Sequence, residues 1–137
     1  MGLITAVAWA VAALAGVYLL YFWLSGDGLR RAKVTRFPAA LVFSHPTLAV
    51  SALVCWVAGL FTGSRVLAWA AFAGLAVAAL LGFTMSTRWL GAGRHKTGGR
   101  GFPVLAVTLH GLAGVATFAL MLLSASAAGA GPGGNGP

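Results

Sequence analysis

The sequence predicts an all-α polytopic membrane protein. Four transmembrane helices form an up-down-up-down bundle, built from a two-helix unit repeated in parallel about a pseudo-two-fold axis. Three observations predict this. Hydrophobic residues make up 60% of the 137 and charged residues only 7%, where a soluble domain carries about 25% charged residues, so no polar shell can be built. Four runs, 3–24, 38–61, 66–90 and 103–125, reach the length of about 20 apolar residues that a bilayer crossing needs. The second and fourth runs begin alike. Disordered chains are poor in apolar residues, so disorder is excluded.

Backbone polar groups in lipid must be satisfied within their own segment, so the runs are helices. No strand-length alternation is present, which excludes a membrane barrel. The first run resembles a signal peptide only superficially: it lacks a basic n-region and, at about 22 residues, is too long for an h-region, so it reads as a retained span. None of the four contains Asp, Glu or Lys, and only Arg88, near one end, is charged. Residues 1–128 thus read as the transmembrane domain, and the Gly/Pro-rich stretch 129–137 as a disordered tail.

The few charged residues set both the orientation and the exclusions. The only acid is Asp27 and the only cysteine is Cys55. Carboxylate-pair and two-metal mechanisms are therefore excluded, as are an intrachain disulfide and a cysteine-based metal site. Arg30, Arg31, Lys33 and Arg36 lie in the first connection; Arg88, Arg94, Lys96 and Arg100 flank or occupy the third; Arg65 alone marks the second. The positive-inside rule places the first and third connections in the cytoplasm and both termini outside. Trp23, Phe37, Trp89 and Phe102 then sit at the cytoplasmic edge, where aromatic belts form. Orientation and attraction to anionic lipid account for the basic loops, and nucleic acid is not an expected partner.

The repeat has a register. Arg36-Phe37-Pro38 leads to His45 as Gly101-Phe102-Pro103 leads to His110, an offset of 65 (102 − 37 and 110 − 45). Val50 and Val115 keep that offset, and Trp23-Leu24 answers Trp89-Leu90 at 66. A parallel repeat implies a pseudo-two-fold axis along the membrane normal. The short second connection makes spans two and three antiparallel neighbours, so spans two and four face each other across the diagonal.

His45 and His110 are the ionisable groups well inside the spans, and an intramembrane ionisable residue points to function. Each lies seven residues past its proline, about 10 Å from the cytoplasmic surface at 1.5 Å per residue. Helix neighbours about 8–10 Å apart put the diagonal at roughly 11–14 Å, room for one iron between two imidazoles. That suits a haem with two axial histidines, with His45 and His110 as its metal ligands. Two other readings stay open: a bare transition-metal site, or structural histidines hydrogen-bonded across helices. His95 stands between Arg94 and Lys96 and reads as a solvated loop residue.

A porphyrin needs a thin-walled slot. The turns outward of the histidines are small: Ala49 and Ala52 on one side, Gly114 and Thr117 on the other, with Trp56 as a cap. Small residues also serve close helix packing, which explains them without a cofactor. For the second imidazole nitrogen, the expected acceptors are the Val42 carbonyl, freed because Pro46 lacks an N–H, or Thr108, Thr47 or Ser51. Tyr18 and Thr84 match in the repeat near the same depth and are further candidates, against a plain interface Tyr and back-bonded Thr. Arg36 and Arg100 flank the Phe-Pro starts and are placed to pair with haem propionates.

With His45, His110 and the two Phe-Pro starts in view, residues 3–125 resemble the small four-helix membrane b-type cytochromes and the haem-bearing anchor subunits of quinone-linked respiratory enzymes. The resemblance implies one bis-His haem b per chain, exchanging electrons with quinone or a larger redox complex. One histidine pair leaves no ligands for a second haem. The Ala-, Gly- and Arg-rich composition with few Lys is that of a high-G+C bacterium, which implies the bacterial inner (plasma) membrane. The competing functions are a non-redox accessory or assembly subunit, and a small transporter. The transporter is disfavoured because no acid or broken helix lines a path.

Overall fold

The computed structural model describes residues 2–26, 38–91 and 103–129. They form four helices: α1 Gly2–Ser25, α2 Ala39–Thr62, α3 Arg65–Gly91 and α4 Val104–Gly129. Each contains a segment long and apolar enough to cross a membrane, and no strand occurs among the described residues. A 24-residue helix is about 36 Å long, more than a hydrocarbon core of roughly 30 Å.

The helix ends follow from local chemistry. Pro38 precedes α2 with an extended backbone, and its carbonyl accepts from Leu41 N at 3.0 Å and Val42 N at 3.2 Å. The expected short turn between α2 and α3 is Gly63-Ser64. Gly63 closes α2 in the left-handed region at φ 64°, which only glycine enters without strain. Ser64 then caps α3: its Oγ accepts from Leu67 N at 3.4 Å. Pro103 opens α4 as Pro38 opens α2, accepting from Val107 N at 3.1 Å.

The bundle turns its large apolar side chains outward. Leu3, Leu14, Phe61, Leu80 and Leu105 are all more than half exposed. In water that surface would aggregate; in a bilayer it faces lipid of matching polarity. Inside, α1 packs on α4, α2 on α3, and α3 also meets α4. That order around the bundle leaves α2 and α4 on a diagonal, as the up-down-up-down topology requires.

Ten of the thirteen buried residues among those described fall in pairs under the repeat. Thr5 and Ala71, Trp9 and Leu75, and Ala12 and Ala78 are buried pairs at an offset of 66 (71 − 5, 75 − 9, 78 − 12) between α1 and α3. Ala52 and Thr117, and Trp56 and Met121, are buried pairs at an offset of 65 (117 − 52, 121 − 56) between α2 and α4. The histidines lie in that second register (110 − 45 = 65). Ala15, Trp23 and Ala125 are buried without a buried counterpart at Leu81, Trp89 and Leu60.

The core lies between the histidines and the Gly63-Ser64 turn. Trp9, Ala52, Trp56, Ala71, Leu75 and Met121 form one cluster, and Trp9 Nε1 donates to the Met121 sulfur at 3.3 Å. Met121→Ala leaves a cavity and an unpaired indole N–H together. We expect a loss of about 2–5 kcal/mol, read as a lowered midpoint in detergent-denaturation titrations. Leu123→Ala, on the exposed surface, is expected to leave that midpoint in place.

Candidate functional site

The bundle brings His45 and His110 together. Their ring centroids are 5.8 Å apart, with the ring planes at 74°. Each imidazole is also tied to a third helix. His45 Nδ1 lies 2.8 Å from the Ala78 carbonyl oxygen on α3, and His110 Nδ1 lies 2.8 Å from the Ala12 carbonyl oxygen on α1. The two contacts are the same contact under the pseudo-two-fold (78 − 12 = 66).

A glycine makes each contact possible. A Cβ at Gly82 would stand 3.0 Å from His45 Cε1, and a Cβ at Gly16 would stand 3.0 Å from His110 Cε1. In a helix the carbonyl of residue i points toward residue i+4. Gly82 follows Ala78 by four and Gly16 follows Ala12 by four. With no side chain there, an imidazole can lie on the helix backbone and reach the carbonyl's second lone pair.

The carbonyl partner fixes the tautomer. A backbone carbonyl only accepts, so each Nδ1 carries the proton and donates it. In the neutral ring Nε2 is then an unprotonated nitrogen with a lone pair, the form in which imidazole binds a metal. The rings that carry these two nitrogens lie 5.8 Å apart, centroid to centroid. Among the described residues no group of three or more His, Cys, Asp or Glu could hold a metal ion.

The acceptors differ from those expected from the sequence. The Val42 carbonyl and Thr47, Ser51 and Thr108 do not take the imidazole protons; Ala78 and Ala12 do. Thr47 donates to the Phe43 carbonyl at 2.8 Å and Ser51 to the Thr47 carbonyl at 2.9 Å, both within α2. Thr108 is exposed. Intrahelical back-bonding is the local option for a membrane hydroxyl, and a neighbouring helix presents its carbonyl where glycine uncovers it.

The remaining expected residues fall around this centre. Ala49 is half-buried and packs against the apolar cluster. Gly114 is half-buried too, but a Cβ there would meet nothing within 4 Å. Tyr18 is 49% exposed and lies beside Phe22, with ring centroids 6.5 Å apart. Thr84 donates to the Leu80 carbonyl at 2.8 Å. Thr84 is thus back-bonded within its own helix. Trp23 sits at the expected edge but is buried, edge-on to Phe43 at 6.2 Å. Arg36, Arg100, Phe37, Phe102 and His95 lie outside the described residues.

Gly16, Gly82, Ala12 and Ala78 are the site residues that the histidine pattern alone does not supply. Their signal is nonetheless in the chain. Val11-Ala12-Ala13-Leu14-Ala15-Gly16 returns as Val77-Ala78-Ala79-Leu80-Leu81-Gly82, with five of six positions identical at the offset of 66. Comparison with models of known protein families, with curated proteins and with solved structures finds no match for this chain.

Proposed function

We propose that the protein is a membrane-embedded single-haem b-type cytochrome, with one haem b held between His45 and His110, that transfers electrons to or from quinone or a partner redox complex. The observation that carries this reading is the pair of Nε2 nitrogens left unprotonated by matched Nδ1–H···O=C bonds. Metal-ligating histidines characteristically donate their other N–H in this way.

The spacing supports it. Two imidazoles on opposite sides of one metal, with bonds of about 2.0 Å and ring centres roughly 1.2 Å behind each nitrogen, would have centroids about 6.4 Å apart. The observed 5.8 Å is about 0.6 Å shorter than that. A bare ion would need further protein ligands, which the described residues do not group there; a porphyrin supplies four of its own. When bound, haem would supply a one-electron ferric–ferrous couple. This chain's part is to fix the tautomer of both imidazoles through Ala12 and Ala78, and to keep bulk water from the site with the Trp9–Trp56–Met121 core. Arg36 and Arg100 remain the proposed propionate partners.

Titration of haem into purified apoprotein tests the reading. We expect saturation at one haem per chain with a low-spin spectrum; a high-spin adduct, or no saturation, contradicts it. The second reading, an accessory subunit with structural histidines, draws on the same cross-helix bonds, which would also stabilise a bundle without a cofactor. It predicts protein that takes up no haem and co-purifies with a partner.

For localisation we propose the bacterial inner membrane with both termini outside, supported by the eight basic residues of the first and third connections against one in the second. A cysteine placed in the segment 130–137 of a Cys55→Ser background should react with an impermeant thiol reagent in spheroplasts. A protected tail would reverse the orientation.

A further inference from the structure

We propose that the outward face of α2 is the interface of a parallel homodimer, in which two copies of this chain pack α2 against α2. Phe43, Thr47, Val50, Val54, Val57 and Phe61 form one exposed seam on the side of α2 away from the buried Ala52 and Trp56. Their spacing alternates between four and three residues, the 3.5-residue repeat that lets one helix follow another. A hollow of about 370 Å³ opens in the seam near the start of α2, lined by Phe43, Pro46, Thr47, Val50 and Ser51. The first four stand at i, i+3, i+4 and i+7. Those are the four positions that form the hole for one side chain of a facing helix in knobs-into-holes packing. Trp23 of α1 stands edge-on to Phe43, with ring centroids 6.2 Å apart, and so backs one wall of the hollow.

Symmetry, polarity and area choose a second copy of this chain as the occupant. Copies in one membrane share an orientation, so about a two-fold axis along the membrane normal each residue meets its own counterpart at equal depth. The hole at 43, 46, 47 and 50 then receives the second copy's Thr47. A hydroxyl both donates and accepts, so it complements itself. Thr47 donates to the Phe43 carbonyl at 2.8 Å and Ser51 to the Thr47 carbonyl at 2.9 Å. Both oxygens keep lone pairs that lipid tails cannot satisfy. Where Thr47 faces Thr47, one hydroxyl turns to donate to the other. The repeat sharpens the choice. On α4 the counterparts of Thr47 and Ser51, at the offset of 65, are Leu112 and Ala116, which are also exposed (112 − 47, 116 − 51). Lipid gives no reason for hydroxyls at these positions on one helix and alkyl groups on the other. The four middle seam residues are β-branched and have little rotamer freedom to lose on packing. At roughly 200 Å² for a whole Phe, Phe43 at 41% and Phe61 at 88% leave about 250 Å² open. The four smaller residues leave about as much again, so a symmetric pair covers roughly 1,000 Å², the size a specific interface must reach.

The test uses the full chain in lipid bilayers. In a Cys55→Ser background with a thiol oxidant, Val54→Cys should give a disulfide-linked dimer, because the two-fold brings that position within disulfide reach of its counterpart. Ala119→Cys, the same position on α4 (119 − 54 = 65) and also exposed, should stay single. Energy transfer between donor- and acceptor-labelled copies of purified protein, followed as lipid dilutes them, gives the dissociation constant. Thr47→Leu installs the residue that α4 carries at this position and should weaken the dimer at least tenfold, a change of about 1.4 kcal/mol. Thr47→Val keeps the branch, drops the hydroxyl and should weaken it about threefold; helix content is the control for both. Four results overturn the proposal: a purified chain that stays single at every dilution, which leaves the face to lipid or to a different protein; equal crosslinking at Val54→Cys and Ala119→Cys; a dilution curve indifferent to both Thr47 variants; or more than two copies counted by stepwise photobleaching. None of these outcomes depends on haem being bound.

Discussion

His45→Ala and His110→Ala are each expected to abolish low-spin haem, while His95→Ala leaves the spectrum unchanged. The two imidazoles are equivalent under the repeat: each donates from Nδ1 to a carbonyl at 2.8 Å, and each keeps Nε2 for a ligand. Removing one leaves iron five-coordinate and held from one side. Any residual pigment should be high-spin and lost on washing. Each substitution also removes a cross-helix hydrogen bond worth about 0.6–2 kcal/mol in a bilayer, so helix content after purification is the control. If a single mutant keeps its helices and a wild-type low-spin spectrum, that histidine is not a ligand.

Gly16→Val and Gly82→Val are expected to have the next largest effect. A bare Cβ at either position already stands 3.0 Å from an imidazole carbon, so a branched side chain must push the ring off its carbonyl. Overpacking of this kind costs about 1–3 kcal/mol, and here the displaced group is the proposed ligand. Haem affinity should fall and the low-spin band should shift or broaden. A purely structural role would lower stability without a spectroscopic change. Gly111→Ala is the matched control: it lies on the exposed face and its Cβ would meet nothing within 4 Å, so affinity and spectrum should hold.

That contrast shows which parts of the site are legible in the sequence. Two histidines in otherwise apolar spans stand out because burying an ionisable group in lipid is expensive. Their common depth follows from the shared Phe-Pro starts and the helix rise. The bundle follows from four runs and three connections. What spacing does not fix is the rotation of each helix about its own axis. Gly114 and Gly16 are both small residues in apolar helices, and only packing reveals that Gly16 abuts an imidazole while Gly114 does not. The partners of the imidazoles are harder still. Every residue has a carbonyl, so Ala12 and Ala78 carry no side-chain signature as acceptors. Glycine four residues later is the readable trace, and the repeat of Val11–Gly16 in Val77–Gly82 marks it twice. The loop arginines lack even that, because charge in a connection records orientation before it records a ligand.

Glycine uncovers a carbonyl, the carbonyl accepts the hydrogen bond from Nδ1–H, and a proton held on Nδ1 leaves the neutral ring's Nε2 unprotonated, in both halves of the repeat. An absorption spectrum of the protein as purified from its native membrane, with pyridine haemochrome quantification, tests the proposed outcome of that chain most directly. The account predicts a red protein with a reduced b-type, low-spin spectrum and about one haem b per chain. A colourless protein with intact helices would contradict it.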